Sequence, residues 1–261
     1  MAKKSARQRG QRQSASSSVS SRAEMRHEQR IAAQKRDKRN RLLKMVGGVA
    51  ALALVIVVVL VLMNMENEGQ YASEPISTPP AIAAEIPRDG RTLGDPDAPV
   101  HVIEYGDFQC PGCAAWTRSV KPELVNNYVA TGQVFFEFRD LTGLGRESKE
   151  ASVGAACALE QGKFWEFHDM LYYNQIGRDN GGFAKSRMIK MAEAIGLDMD
   201  EFEDCLGTDR FDGDLDDLRD MATADGITAT PTLMVNGVAL TAPTYDQLRM
   251  QIEAALASAG S

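Results

Sequence analysis

Cys110 and Cys113 stand two residues apart in Cys-Pro-Gly-Cys, between an apolar run, Val100 to Phe108, and a helix-like stretch, Ala114 to Val129. This spacing puts both thiols at a strand-to-helix turn. A helix N-terminus offers unpaired N–H groups and the positive end of the dipole, and both stabilise a thiolate. A cysteine so placed is ionised near neutral pH and is a good leaving group, as thiol–disulfide exchange requires. Cys110 is the sulfur that attacks and is attacked. Cys113 sits deeper, one turn into the helix; in the reductase direction it resolves the mixed disulfide. The pair itself is then the redox-active group, and no metal or organic cofactor is called for. Two other readings exist. A zinc half-site would need partners, but Cys157 and Cys205 stand alone and His168 is isolated. An inert structural disulfide is the second.

Elements that would position the pair are legible around it. Val100 to Tyr105 reads as a buried strand, with Glu104 six residues before Cys110. A buried carboxyl there would have a raised pKa and could pass a proton to or from Cys113; at a sheet edge it would merely face solvent. Pro111 suits a first helical position, and Pro122 should kink the helix. Gln133 to Phe138 reads as a second strand. Helical segments follow at Glu147–Gln161, Lys163–Asn174, Ala184–Ile195 and from Phe211 to about Ala222. Thr230-Pro231 precedes a strand, Thr232 to Val235, and Asn236-Gly237 signals a hairpin before Val238 to Leu240. Tyr245 to Ala257 closes the chain as a helix.

The order is strand, helix, strand, about 80 residues of helix, a strand pair, then helix. With the Cys-x-x-Cys and the distant Thr-Pro, it resembles the DsbA-like thiol–disulfide oxidoreductases of the thioredoxin superfamily, above all their membrane-tethered bacterial members. The likeness runs from about Gly90 to Ala257. Its motifs are Gly-Asp-Pro-Asp-Ala-Pro-Val (94–100), Tyr-Gly-Asp-Phe-Gln-Cys-Pro (105–111), Gln-Gly-Lys-Phe-Trp-Glu-Phe-His-Asp (161–169) and Ala-Thr-Pro-Thr-Leu (229–233). The resemblance implies an α/β, thioredoxin-like fold with an inserted helical domain at about 145–225. It also implies a cis Thr230-Pro231 bond opposite the cysteines, whose backbone pairs with bound substrate, and supports Glu104 as the proton relay. Substrates would be thiol-containing secreted or envelope proteins. A membrane redox partner, DsbB-like or another quinone-linked oxidant, would reoxidise the pair. Disulfide formation is the favoured direction; a reductase or isomerase, and a non-catalytic peptide-binding module, are the alternatives.

Charge divides the chain. Residues 1–44 hold 14 Lys and Arg against 3 Asp and Glu, whereas the whole 261-residue chain is at −7. The divider, Met45 to Met63, is 19 residues without a charge, roughly 28 Å as a helix and close to a bilayer's hydrocarbon thickness. Lys35, Arg36, Lys38, Arg39, Arg41 and Lys44 crowd its N-terminal side. The positive-inside rule then leaves residues 1–44 as a disordered cytoplasmic tail, 45–63 as a transmembrane anchor in the lipid bilayer and the acidic remainder outside. A cleaved signal peptide competes, but it would need an unusually long polar leader. Residues 64–89, with four prolines, read as a linker before the domain at 90–261. The basic tail carries no aromatic interleaving or binding motif, so no nucleic-acid role is expected. Outside the cytoplasm Cys157 and Cys205 should pair as a structural disulfide, the alternative being two separately buried thiols. The Asp212–Asp217 cluster reads as a solvated helix face rather than a calcium loop. His101, His168 and the aromatic run at 164–167 read as packing residues.

Overall fold

The computed structural model describes residues 35–36, 38–59 and 74–260, in two compact units divided after Asn64. In the first unit, α1 (Lys38–Val59) has 22 residues and a mean hydropathy of 2.6, long and apolar enough to cross a membrane. Its β-branched run Val55–Val59 is a poor helix former in water. In a bilayer the backbone must satisfy its own hydrogen bonds, which favours helix.

The second unit is built on a six-stranded sheet. The strands are β1 (Arg88–Asp89), β2 (Thr92–Leu93), β3 (Val100–Gly106), β4 (Val134–Asp140), β5 (Thr232–Val235) and β6 (Val238–Thr241), in the spatial order β1-β2-β4-β3-β5-β6. β3 and β4 are parallel; every other pairing is antiparallel. β3 is therefore central, and Glu104 lies in register with Phe138 on one side and Leu233 on the other. The edge-strand reading of Glu104 does not hold. β1 and β2 are two residues each, too short to show periodicity in the sequence. Asn236, at a φ of 45°, and Gly237, at 86°, form the β5–β6 turn, the left-handed pair that an Asn-Gly hairpin takes.

The crossover from β3 to β4 carries α2 (Pro111–Ser119), α3 (Lys121–Leu124) and a π-helical turn at Val125–Val129. A continuous helix to Val129 would place the ring of Pro122 against the preceding turn, so the chain breaks at Val120. The insertion between β4 and β5 holds α4 (Arg146–Glu160), α5 (Phe164–Tyr173), α6 (Lys185–Ala194), α7 (Met199–Leu206) and α8 (Asp212–Ala224), and α9 (Tyr245–Ala259) closes the domain. Periodicity missed α7. Its eight residues bury only Phe202 and Cys205, and Asp198 caps it by accepting from the Glu201 N–H.

Aromatic rings join sheet to insertion. Phe136 packs on Trp165 at 5.5 Å, Phe138 on His168 at 4.6 Å and Phe108 on Tyr172 at 5.0 Å between ring centres. Trp116 turns inward onto Phe136 and is buried, as are Phe164, Trp165 and Phe167. Cys157 in α4 and Cys205 in α7 are joined as a disulfide, with Cα atoms 5.8 Å apart.

The Pro-containing segment before β1 packs on the domain from Glu74 onward. Ile76 and Ile82 rest on the core and Ile86 is buried. Ser77 exchanges two hydrogen bonds with Asn174: its N–H donates to Oδ1 at 2.7 Å, and Nδ2 donates to its carbonyl at 2.8 Å. Arg88 donates to the carbonyls of Ile82 and Ala83 and pairs with Glu166 at 2.6 Å. Prolines favour this extended course because they carry no N–H to satisfy.

Candidate active site

Cys110 is the N-cap of α2, in extended conformation (φ −76°, ψ 118°), with Pro111 at the first helical position. Its sulfur accepts a hydrogen bond from the Cys113 N–H at 3.4 Å and, as a thiol, donates to the Thr230 carbonyl at 3.3 Å. Both cysteines are free thiols. Cys110 keeps 7% of its surface and Cys113 none, so only Cys110 can meet a partner's sulfur.

The two thiols are held in opposite protonation states. Hydrogen bonding from Cys113 is the largest influence on Cys110 and, despite partial burial, brings its pKa down to about 5. The Thr230 side chain and the N–H groups of Gly112 and Cys113 act in the same direction. Burial pushes the Cys113 thiol far above the ordinary cysteine range, and its bond to Cys110 and the charge of Glu104 add to the rise. One sulfur is a thiolate at neutral pH and its neighbour a protonated thiol.

Pro231 lies across the pair, joined to Thr230 by a cis peptide bond. Gly112 makes the approach possible. A Cβ on it would sit 3.1 Å from Pro231 Cδ and 3.6 Å from Cys110 Sγ. Gly106, at the end of β3, is required for a similar reason, since a Cβ there would come within 2.6 Å of the Phe138 ring and 2.8 Å of the Tyr172 hydroxyl.

Glu104 is fully buried, and neither carboxyl oxygen has a hydrogen-bond partner among the described residues. Burial raises its pKa well above the usual carboxylate range. Lys121 opposes that rise, while Asp169 and Cys110 reinforce it. Lys121 pairs with Asp169, whose Oδ1 also meets His168 Nδ1 at 2.8 Å. Burial, with the Lys121 charge acting the same way, lowers the His168 pKa to about 4, so its ring is neutral at pH 7.

Sequence reasoning singled out neither Lys121 nor Asp169 in this role. Lys121 reads as an ordinary helix charge, and its partner is 48 residues away. Asp107 and Gln109 were also missed, although they flank the catalytic turn. Asp107 accepts from the N–H groups of Gln109, Gly143 and Leu144 and from the Ser148 hydroxyl, at 2.7–3.0 Å. It thereby fastens the turn to the start of the insertion. Among the described residues no group of three or more His, Cys, Asp or Glu side chains is arranged to hold a metal ion.

Residues 88–254 match the family model described as thioredoxin. Among curated relatives, the probable disulfide bond formation protein D of Bacillus cereus is 28% identical over 167 residues, covering 62% of this chain and 77% of that one. An Na(+)/H(+) antiporter NhaA 3 of Salinispora tropica is 34% identical over 144 residues. That stretch is 55% of this chain, which spans only 21% of the antiporter's length. The crystal structure of oxidised BdbD from Bacillus subtilis aligns with a TM-score of 0.61 at 24% identity, over 71% of this chain and all of that one.

Proposed function

This chain belongs to the thioredoxin family, as a DsbA-like thiol–disulfide oxidoreductase, and we propose that it forms disulfides in secreted or envelope proteins, held to the outer face of the membrane by α1. One observation carries the direction of the reaction: the Cys110 sulfur sits at the mouth of α2, where it accepts from the Cys113 N–H. Stabilising the Cys110 thiolate stabilises the dithiol form. A pair whose dithiol form is stabilised is a strong oxidant.

In the oxidised enzyme a substrate thiolate attacks Cys110 Sγ. The Cys110–Cys113 bond breaks as a substrate–Cys110 disulfide forms, and Cys113 leaves with the electron pair. Protonated Glu104 is the group placed to supply the proton Cys113 needs. The substrate's second thiolate then attacks its own sulfur in the mixed disulfide and expels Cys110 as a thiolate. Two electrons have passed from substrate to enzyme, and a membrane oxidant accepts them to restore the disulfide. Thr230 and Pro231 offer the backbone on which an extended substrate segment lies. The six basic residues ahead of the uncharged span, four of them in the first turns of α1, support a cytoplasmic N-terminus by the positive-inside rule.

The test is the reduction potential of Cys110–Cys113 in the full chain in detergent, equilibrated against glutathione. A value at or above about −150 mV supports disulfide donation, whereas one near −270 mV makes the enzyme a reductase. The companion variant is Cys110→Ala, which should abolish oxidation of a dithiol peptide; surviving activity refutes the assignment.

A further inference from the structure

The loop that follows α5 grips the catalytic turn. Gln175 Nε2 donates to the carbonyls of Phe108 at 2.7 Å and Cys110 at 3.1 Å, the two that flank Gln109. The Cys110 carbonyl also accepts the first helical hydrogen bond of α2, from the Ala114 N–H at 3.1 Å. The Gln109 side chain, buried, is held in turn by Asp179: it donates to Oδ1 and accepts from the Asp179 N–H. The Phe108–Gln109 and Cys110–Pro111 peptide planes are thereby fixed. Those planes set the backbone of Cys110 and the direction of its sulfur relative to the α2 N–H groups.

The residue next to Gln175 faces the other way. Asn174, buried at the C-terminal end of α5, holds Ser77 by the reciprocal pair described above and bonds the Met170 carbonyl at 2.8 Å. Adjacent side chains therefore clasp the strap at 74–86 on one side and the catalytic turn on the other. The strap is the first described stretch of chain after α1. We propose that Gln175 is a positioning residue for Cys110, and that Asn174 couples it to the docked strap. The proposal rests on the thiol-exchange reading of Cys110. It adds to that reading a way for the segment leading from α1 to tune the reactive sulfur.

The full chain in detergent tests it. Gln175→Met keeps the bulk of the side chain and removes both donated hydrogen bonds. The pH dependence of Cys110 alkylation by iodoacetamide should shift upward, with thiolate stability falling about fivefold, the weight of about one hydrogen bond. The glutathione equilibrium should move toward the disulfide form in step. Asn174→Ala should shift both readouts in the same direction by less, and the double variant should shift them by no more than the sum of the single effects. If Gln175→Met does not fold, Gln175→Glu takes its place: its carboxylate opposes the two carbonyls and should give a larger shift. An unshifted alkylation profile with only a lowered melting temperature overturns the proposal, because packing alone would then explain the contacts. In that case a low thiolate midpoint in the unaltered chain leaves the exchange reading standing. A midpoint like that of an ordinary exposed cysteine in the unaltered chain overturns both.

Discussion

Two cysteines three positions apart differ in pKa because one caps a helix and the other is buried inside it. That difference has a thermodynamic consequence. The Cys110 pKa is depressed to about 5 in the folded dithiol form, against about 8.5 in an unfolded chain. A depressed pKa contributes stability that is present above the unfolded value and lost as pH falls through the folded one. The dithiol form should therefore lose its stability advantage over the disulfide form between about pH 8.5 and pH 5. Thermal unfolding of both forms across that range checks this, and a constant gap would contradict it. Glu104 has the opposite sign. Its raised pKa means that burying it costs stability as pH rises above the unfolded carboxylate value. Glu104→Gln should therefore raise stability more at pH 7 than at pH 4. It should also slow disulfide exchange about tenfold, or ~1.4 kcal/mol of activation free energy, while leaving Cys110 alkylation unchanged. Loss of alkylation as well would mean that Glu104 shapes the site rather than relays a proton.

Among the elements, the helical insertion is fastened by three different devices. Edge-to-face ring packing joins α5 to β4, and Asp107 joins the catalytic turn to the start of α4. The disulfide joins α4 to α7 across 48 residues of chain. Helix α7 needs that bond most, because it is short and buries only two side chains. Closing a loop of this size is worth about 4 kcal/mol in the chain-entropy picture. Replacing both Cys157 and Cys205 by Ala should thus lower unfolding free energy by up to that amount. The Cys110 thiolate midpoint should stay where it is. Denaturant titration and alkylation kinetics read the two effects separately, and a moved midpoint would tie the disulfide to the chemistry.

For the whole molecule, charge asymmetry is the organising fact. A basic segment, an apolar helix and an acidic domain follow one another along the chain. The proposed orientation depends on the cations ahead of the uncharged span. Changing Lys35, Arg36, Lys38, Arg39, Arg41 and Lys44 to Gln should scramble it, as read by a compartment-sensitive reporter fused to the C-terminus. An unchanged signal would show that another feature sets topology. Under the proposed anchoring, tethering would raise the effective concentration of the catalytic domain for a membrane-borne oxidant, so a chain released from the membrane should be reoxidised more slowly.

Local signals in the sequence determined a good deal. The Cys-x-x-Cys at a strand–helix junction, the Pro at the first helical position, the Asn-Gly hairpin, the long amphipathic helices and the uncharged span each depend on residues within a few positions of one another, so each can be read without knowing the fold. Only the tertiary structure decided what depends on distant residues meeting. It buried Glu104 by making β3 central, brought Lys121 to Asp169 and Gly112 to Pro231, and packed the strap at 74–86 against the end of α5. It also stabilised α7, whose own periodicity is too brief to specify it. The reason is physical: periodicity and caps act over one or two turns, whereas the burial of a charge or the hold on a backbone carbonyl depends on chain tens of residues away.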